Sequence, residues 1–242
     1  MKAVERWWSP RLQADISMVR WGTFGAPVLV FPTAGGDAEE IERNGLVDAC
    51  GQLLEEGRVK LYSIDSVAGR VLMAKEGSPQ HRTWLLNQFH DCVRREVVPA
   101  IHADLGGHQA GVIATGASIG AFNAVAVLCR YPDVFSAAIG MSGSYRIERF
   151  YEQPWSGDLY FTAPLQFLAG IDGTQRDLLR QRFVVLAAGE GAWEDVGESW
   201  DMAAALGSQA IPNRVDNWGP EWEHQWETWR RMLPHYLDEL TR

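Results

Sequence analysis

The chain has 242 residues, of which 46% are hydrophobic and 22% charged, and its formal net charge is −9. This length and composition predict a single folded domain over residues 1–242 and exclude a disordered chain. Because no cluster of lysine or arginine offsets the acidic balance, nucleic acid and anionic membrane surfaces are excluded as expected partners.

The amino-terminal stretch MKAVERWWSPRLQ carries charges and two tryptophans where a secretory signal needs an unbroken apolar segment. No later segment is long and apolar enough to span a bilayer. We therefore expect a cytoplasmic protein. The three cysteines, Cys50, Cys92 and Cys129, are odd in number and widely spaced, which favours reduced, buried residues over a disulfide framework.

The predicted elements begin with antiparallel strands around residues 14–22 and continue with a buried strand, APVLVF, that ends at PTAGG. Further strands are predicted over residues 58–66, 111–115, 136–143, 182–191 and 211–219. Helices are predicted over residues 37–57, 78–106, 119–130, 199–209 and 225–240, with Ser78 as the N-cap of the second. Such alternation predicts an α/β fold with a mostly parallel central sheet and helices on both faces.

The pentapeptide GASIG, residues 116–120, places a serine between two glycines where a predicted strand turns into a predicted helix. In this context G-x-S-x-G is typical of a nucleophile elbow, which holds the serine on a strained turn. Gly116 and Gly120 are then required, because a side chain at either position would collide with the neighbouring strand and helix. The alternative is a glycine-rich turn chosen only for close packing. The flanking pattern favours Ser118 as a nucleophile.

A serine hydroxyl needs a base to take its proton and a third group to orient that base. Of the six histidines, only His224 lies in a loop after the last predicted strand, at the sheet edge where Ser118 is expected. Its alternative role is to cap the last helix. The acid is expected in the loop GEGAWEDVGES, since the chain order in such sites is serine, acid, histidine. That loop offers four carboxylates, Glu190, Glu194, Asp195 and Glu198.

Two backbone N–H groups are needed to stabilise an oxyanion. Ile119, directly after the serine, supplies one, and the dipole of the helix that it begins adds to the effect. The other is expected from FPTAGGD, where Ala34 or Gly35 can present an amide. The alternative for FPTAGGD is a simple glycine-rich turn.

Metal and cofactor sites are not predicted. His90 and Cys92 stand two residues apart on a helix and face different directions, and TAGGD lacks the lysine and the spacing of a phosphate loop. Four tryptophans crowd the region around His224 and either line a substrate pocket or pack in the core; they are Trp218, Trp222, Trp226 and Trp229. An aromatic-rich insertion over about residues 145–170 interrupts the alternation, and we expect it to cover the site and to select the substrate.

Several stretches together resemble the putative esterase family of α/β-hydrolases over about residues 6–240: WWSPRLQADISMVRWG, VLVFPTAGGD, ATGASIGAFNAV, YPDVFSAAIGMSGSY, GEGAWED and WGPEWEHQWETWRRMLPHYL. That family also includes esterase D-like thioesterases, feruloyl esterases and mycolyltransferases. The resemblance implies an α/β-hydrolase fold and a serine hydrolase that acts on carboxylic esters without a cofactor.

Residue by residue, the resemblance implies Ser118 as nucleophile, His224 as base and Ala34 as an oxyanion amide. Its acid falls on GAWED, where Glu194 is our choice and Asp195 is the alternative that a gap-free comparison with the mycolyltransferases selects. The chain departs from the family in two ways. Gln225 follows His224 where many relatives have aspartate, and the missing secretion signal argues against a polymer or cell-wall substrate.

We therefore expect a serine esterase that acts on a small-molecule ester through an acyl-enzyme. One alternative is an acyltransferase that uses the same triad, which the ratio of transfer to hydrolysis in added alcohol would distinguish. Another is a noncatalytic binding protein of the same fold, although such proteins usually lose a triad member. The tryptophan content also admits a homodimer.

Overall fold

The computed structural model describes residues 1–151 and 157–242. The described residues contain eight strands in one open sheet: β1 (Lys2–Ser9), β2 (Ala14–Trp21), β3 (Ala26–Phe31), β4 (Val59–Ile64), β5 (Val112–Ala117), β6 (Phe135–Met141), β7 (Phe183–Ala188) and β8 (Asn213–Asn217). Their order across the sheet is β1-β2-β4-β3-β5-β6-β7-β8. The pairs β1·β2 and β2·β4 are antiparallel, and the other neighbours are parallel. The predicted, mostly parallel sheet is confirmed.

The helices in the described ranges are α1 (Glu40–Arg43), α2 (Leu46–Ala49), α3 (Gly51–Glu55), α4 (Pro79–Cys92), α5 (Val98–Asp104), α6 (Ile119–Arg130), α7 (Gly157–Thr162), α8 (Pro164–Phe167), α9 (Gly173–Leu179), α10 (Val196–Ser208) and α11 (Trp226–Leu240). Alternate residues of each strand point to opposite faces. In β3, Leu29 and Phe31 pack into the core on the side of α4, α6 and α10, whereas Val28 and Val30 pack on the side of α1, α2 and α11. Helices therefore cover both faces, as predicted.

Two predicted helices are interrupted. The predicted helix 37–57 is divided into α1, α2 and α3, and Gly45 between the first two has a left-handed φ of 71°. The predicted helix 78–106 begins as expected, with the Ser78 hydroxyl accepting the amide of His81 at 3.1 Å. It widens to a π-helical segment at Val93–Val97 before continuing as α5. Pro99 accounts for this, because proline lacks an N–H and its ring collides with the carbonyl one turn earlier.

The predicted insertion lies between β6 and β7. Its residues 152–156 fall outside the described residues. The rest forms a 3₁₀ turn at Ile147–Phe150, helices α7 and α8, and a second 3₁₀ turn at Leu168–Gly170. Helix α7 is tied to α4 by a hydrogen bond from Asn87 Nδ2 to Asp158 Oδ1 at 2.8 Å. That the insertion selects the substrate stays a prediction.

The three cysteines are buried and unpaired. Burial raises the pKa of each thiol, to about 12. In the described ranges, no helix combines the length and the apolar character that a bilayer crossing requires.

Candidate active site

Ser118 lies on a sharp turn between β5 and α6. Its φ of 57° and ψ of −121° are strained for a residue with a side chain. A Cβ on Gly116 would lie 2.5 Å from the carbonyl carbon of Gly120, and a Cβ on Gly120 would lie 2.3 Å from the carbonyl oxygen of Phe31. The predicted requirement for glycine on both sides of the serine is confirmed.

The two candidate oxyanion amides come from adjacent parallel strands. Ile119 is the first residue of α6, so its N–H has no partner within the helix. Ala34 follows β3, which pairs with β5. The buried carboxylate of Glu40 anchors the Ala34 turn by accepting the amide of Thr33 at 2.8 Å and its hydroxyl at 2.5 Å. A Cβ on Gly69 would lie 2.6 Å from the carbonyl oxygen of Ala34, so the turn is packed from the other side as well.

His224 and Glu194 are brought together from the loops after β8 and β7. His224 Nδ1 lies 3.9 Å from Glu194 Oε1, within reach of an ion pair but longer than a hydrogen bond. The Glu194 side chain is 1% exposed and that of His224 is 23% exposed. Burial raises the pKa of Glu194, against the opposing effect of hydrogen bonds from the Ser142 hydroxyl and the Gly189 amide. Burial lowers the pKa of His224, which favours the neutral imidazole that a base requires.

These two loops, which we call the acid loop (residues 189–195) and the histidine loop (residues 218–225), are joined through their backbones. The amides of Glu190 and Gly191 each donate at 2.9 Å, to the carbonyls of Gly219 and Trp222, and the amide of His224 donates to Ala192 at 3.0 Å. A Cβ on Gly189 would lie 1.9 Å from the carbonyl oxygen of Trp222. Only glycine allows this approach, and the repeated glycines of GEG are the sequence signal for it.

The other candidate acids, all within the described ranges, have different partners. Glu190 accepts from the side chain of Asn217 at 2.7 Å. Asp195 caps α10 by accepting the amide of Gly197 at 3.0 Å, and its side chain is 57% exposed. Glu198 is buried and accepts the amide of Arg146 at 2.9 Å as well as the guanidinium of Arg149. Of the four, Glu194 is the one that contacts His224.

Ser142 and Trp229 join the site in ways that the sequence did not predict. Ser142 follows β6 with a left-handed φ of 49°, and its hydroxyl donates to Glu194 Oε1 at 2.5 Å. Trp229 Nε1 donates to Ser142 Oγ at 2.9 Å, and its ring packs edge-on against the His224 ring at 5.2 Å. Trp229 is 4% exposed and Trp226 and Trp218 pack beside the same core. The Trp222 ring packs edge-on against that of Trp218 at 5.1 Å. All four tryptophans therefore contribute to packing, and Trp229 also contacts site residues.

No group of three or more histidine, cysteine or acidic side chains is arranged to hold a metal ion within the described ranges.

A family model described as "Putative esterase" matches residues 54–240. None of the curated proteins compared with the chain is significantly similar to it.

Among solved structures, the chain is similar to a ferulic acid esterase, with a TM-score of 0.74 and 14% identity over 100% of this chain and 98% of that one. It is also similar to an S-formylglutathione hydrolase from Agrobacterium tumefaciens, with a TM-score of 0.70 and 12% identity over 99% and 94% of the two chains. An enterobactin esterase from Shigella flexneri matches with a TM-score of 0.70 and 17% identity over 99% and 59%. At these identities the similarity shows the fold, and the predicted α/β-hydrolase fold is confirmed.

Proposed function

We propose that this chain, which belongs to the putative esterase family, hydrolyses carboxylic esters with Ser118 as nucleophile, His224 as general base and Glu194 as the acid that orients the base. The observation that carries the proposal is the strained backbone of Ser118 between β5 and α6, packed so tightly that only glycine fits on either side. Such a turn costs stability and is retained where the serine must stand clear of the sheet.

The reaction proceeds in two halves. His224 takes the proton of the Ser118 hydroxyl as its oxygen attacks the ester carbonyl carbon, and the amides of Ile119 and Ala34 donate to the oxyanion that forms. The intermediate collapses to an acyl-enzyme, and the departing alcohol leaves with the proton from His224. Water then gives a proton to His224 as its oxygen attacks the acyl carbon. When this second intermediate collapses, His224 returns that proton to the Ser118 oxygen and the carboxylic acid is released. No cofactor takes part in this scheme.

The surroundings of the carboxylates support Glu194 as the acid. A triad acid must be held near Nδ1 of the histidine, and a low-dielectric environment strengthens its effect on the imidazolium. Glu194 is buried with Oε1 3.9 Å from that nitrogen. Asp195 is exposed, and its carboxylate already caps α10 and lies 3.5 Å from Arg146.

The proposal is tested by the release of nitrophenol from short and medium acyl esters by the wild type and by Ser118→Ala. We expect a rapid burst, a covalent acyl adduct in the intact-protein mass, and a kcat about 10⁶ times lower in the variant. Equal slow rates in both proteins, without an adduct, would contradict the triad and favour a binding protein. If an added alcohol yields more of the transfer product than of the hydrolysis product, the protein acts as an acyltransferase.

A further inference from the structure

Ser142 is held in one position by contacts that leave its hydroxyl little freedom. It is 4% exposed and has a left-handed φ of 49°. Its amide donates to the carbonyl of Ala187 in β7 at 2.7 Å, which fixes the backbone. Its Oγ accepts the buried indole N–H of Trp229 at 2.9 Å.

The indole contact determines where the hydroxyl proton goes. Trp229 Nε1 can only donate, so Ser142 Oγ is the acceptor in that bond and its own O–H is directed elsewhere. The second partner of Oγ is Glu194 Oε1 at 2.5 Å. This same carboxylate oxygen faces His224 Nδ1 at 3.9 Å. The two hydrogen bonds therefore point in one direction. Trp229 Nε1–H donates to Ser142 Oγ, and the Ser142 hydroxyl donates to Glu194 Oε1, the oxygen that faces His224.

We propose that Ser142 is a positioning residue, whose hydroxyl, oriented by Trp229, holds Glu194 ionised with Oε1 turned towards His224. This inference rests on the proposed function, since it assigns Ser142 a role that acts through Glu194. A carboxylate oxygen has two lone pairs, so Oε1 can accept from Ser142 and from His224 together.

The buried position of Glu194 makes such a donor necessary. Removal from water favours the protonated carboxyl, which would no longer stabilise a charged imidazole ring. The Ser142 hydroxyl and the Gly189 amide oppose that effect on the pKa of Glu194. A hydrogen bond to an ionised group is stronger than one between neutral groups.

The other charged groups near Glu194 and His224 have partners of their own. Glu198 of α10 raises the pKa of His224, against burial, and is paired with Arg149. Asp195 is exposed and lies 3.5 Å from Arg146. None of these contacts involves Ser142, so a substitution there leaves them in place.

Removal of the hydroxyl moves the acidic limb of kcat/KM to higher pH by two routes. Without its donor, Glu194 takes up a proton at higher pH. At pH values where Glu194 is still ionised, its carboxylate is a stronger base than in the wild type, and this raises the pKa of His224. Both routes act in the same direction, and we expect Ser142→Ala to shift the limb upward by about one pH unit, with a lower kcat on the plateau.

The experiment measures kcat/KM from pH 5 to 9 with a nitrophenyl ester for the wild type, Ser142→Ala and Ser63→Ala. Ser63 is also buried, and its hydroxyl has no partner among the described residues. Its substitution therefore makes the same chemical change away from the site and should leave the limb unchanged. An unshifted limb in Ser142→Ala, or equal shifts in both variants, would overturn the proposal.

Two further variants separate the loss of the hydroxyl from the unpaired indole. Ser142→Ala leaves the indole N–H of Trp229 unpaired, whereas Ser142→Ala with Trp229→Phe removes both partners, at the cost of the core volume that the larger ring fills. The double variant should show the same upward shift. Trp229→Phe alone frees the hydroxyl to rotate, so we expect a smaller shift in the same direction.

Acylation separates this inference from the proposed function. Each variant is treated with ester and weighed as the intact protein. An adduct on Ser118 in the wild type and in Ser142→Ala, with no shift of the limb, refutes the role of Ser142 alone. An absence of the adduct in the folded wild type refutes the triad, and the inference with it.

Discussion

Glu194 and Asp195 are neighbours in the chain with opposite surroundings. The side chain of Glu194 is 1% exposed beside His224, and that of Asp195 is 57% exposed at the start of α10. Both residues match the sequence pattern expected of a triad acid, because the pattern records position in the chain and carries no information on burial. The distinction between them depends on how the acid loop turns against the histidine loop.

Amide substitutions at these two positions should have different effects. We expect Glu194→Gln to lower kcat about 10³- to 10⁴-fold, since a neutral amide does not stabilise the imidazolium. We expect Asp195→Asn to keep nearly full activity, because asparagine also caps helices well. Steady-state kinetics on a nitrophenyl ester would measure both. The reverse result would make Asp195 the acid.

Glu194→Gln should also stabilise the fold at neutral pH. The folded-state pKa of Glu194 is raised, so its protonated form is favoured by folding below its unfolded pKa, and that contribution is lost as pH rises through the folded pKa. A neutral glutamine avoids the loss. We expect a higher melting temperature than that of the wild type at pH 8, and a difference that shrinks as the pH is lowered towards 4.

At the residue scale, Ser118 and His224 could be proposed from sequence because each is marked by its immediate neighbours. Ser118 lies within a pentapeptide with a known geometry, and His224 lies in the loop after the last strand. Ser142 has no such marker. Its role depends on contacts with Glu194, 52 residues later in the chain, and with Trp229, 87 residues later.

At the scale of elements, the contact between β3 and α6 depends on Gly120. We expect Gly120→Ala to destabilise the protein by about 1–3 kcal/mol or more, because the new Cβ would lie 2.3 Å from a backbone oxygen that has little room to move. Urea denaturation measures the change. Gly51→Ala in α3 is the matched control: nothing lies within 4 Å of its Cβ position, so a change of less than about 1 kcal/mol, in the stabilising direction, is expected. Equal stability of Gly120→Ala and the wild type would contradict the packing argument.

Hydrophobic periodicity predicted where strands and helices occur but not where helices are interrupted. The apolar pattern of residues 37–57 continues through Gly45, and only its left-handed φ reveals the break. The pattern of residues 78–106 likewise continues through Pro99, although the helix changes to a π-helical segment before it. In both cases one residue's backbone preference altered the element without altering its apolar face.

At the scale of the whole molecule, stability in acid should depend on His90, which lies fully buried between α4 and α6. Its Nε2 is 3.0 Å from Asn123 Oδ1, and burial lowers its pKa to about 3. The unfolded chain takes up this proton near pH 6.5, whereas the folded one resists it down to about pH 3. The stabilising effect of neutral His90 is therefore complete above pH 6.5 and is lost as pH falls towards 3, by about 1.4 kcal/mol per pH unit.

His90→Gln should remove this dependence. We expect its free energy of unfolding to fall less steeply than that of the wild type between pH 6 and 4, measured by urea denaturation at each pH. His108→Gln changes an exposed loop residue and should keep the slope of the wild type. Parallel curves for His90→Gln and the wild type would show that His90 is protonated in the folded protein.

The fold class could be predicted because alternating strands and helices favour a parallel sheet under general rules of chain connection. The strand order could not be read from periodicity, since the inner parallel strands β3, β5, β6 and β7 are buried on both faces. The antiparallel edge formed by β1 and β2 shows the difference: β2 alternates and was predicted, whereas β1 has mostly exposed residues and no comparable apolar pattern.

The backbone hydrogen bonds between the acid loop and the histidine loop also constrain how the protein can be recombined with its relatives. A chimaera that imports only one of the two loops would place a foreign backbone against the carbonyl of Trp222, where the glycine at position 189 leaves no room for a side chain. Residues 189–225, which contain both loops, are therefore the smallest segment to exchange as a unit. The insertion between β6 and β7 is not independent of this segment, because Arg146 and Arg149 of the insertion bind Glu198 within it.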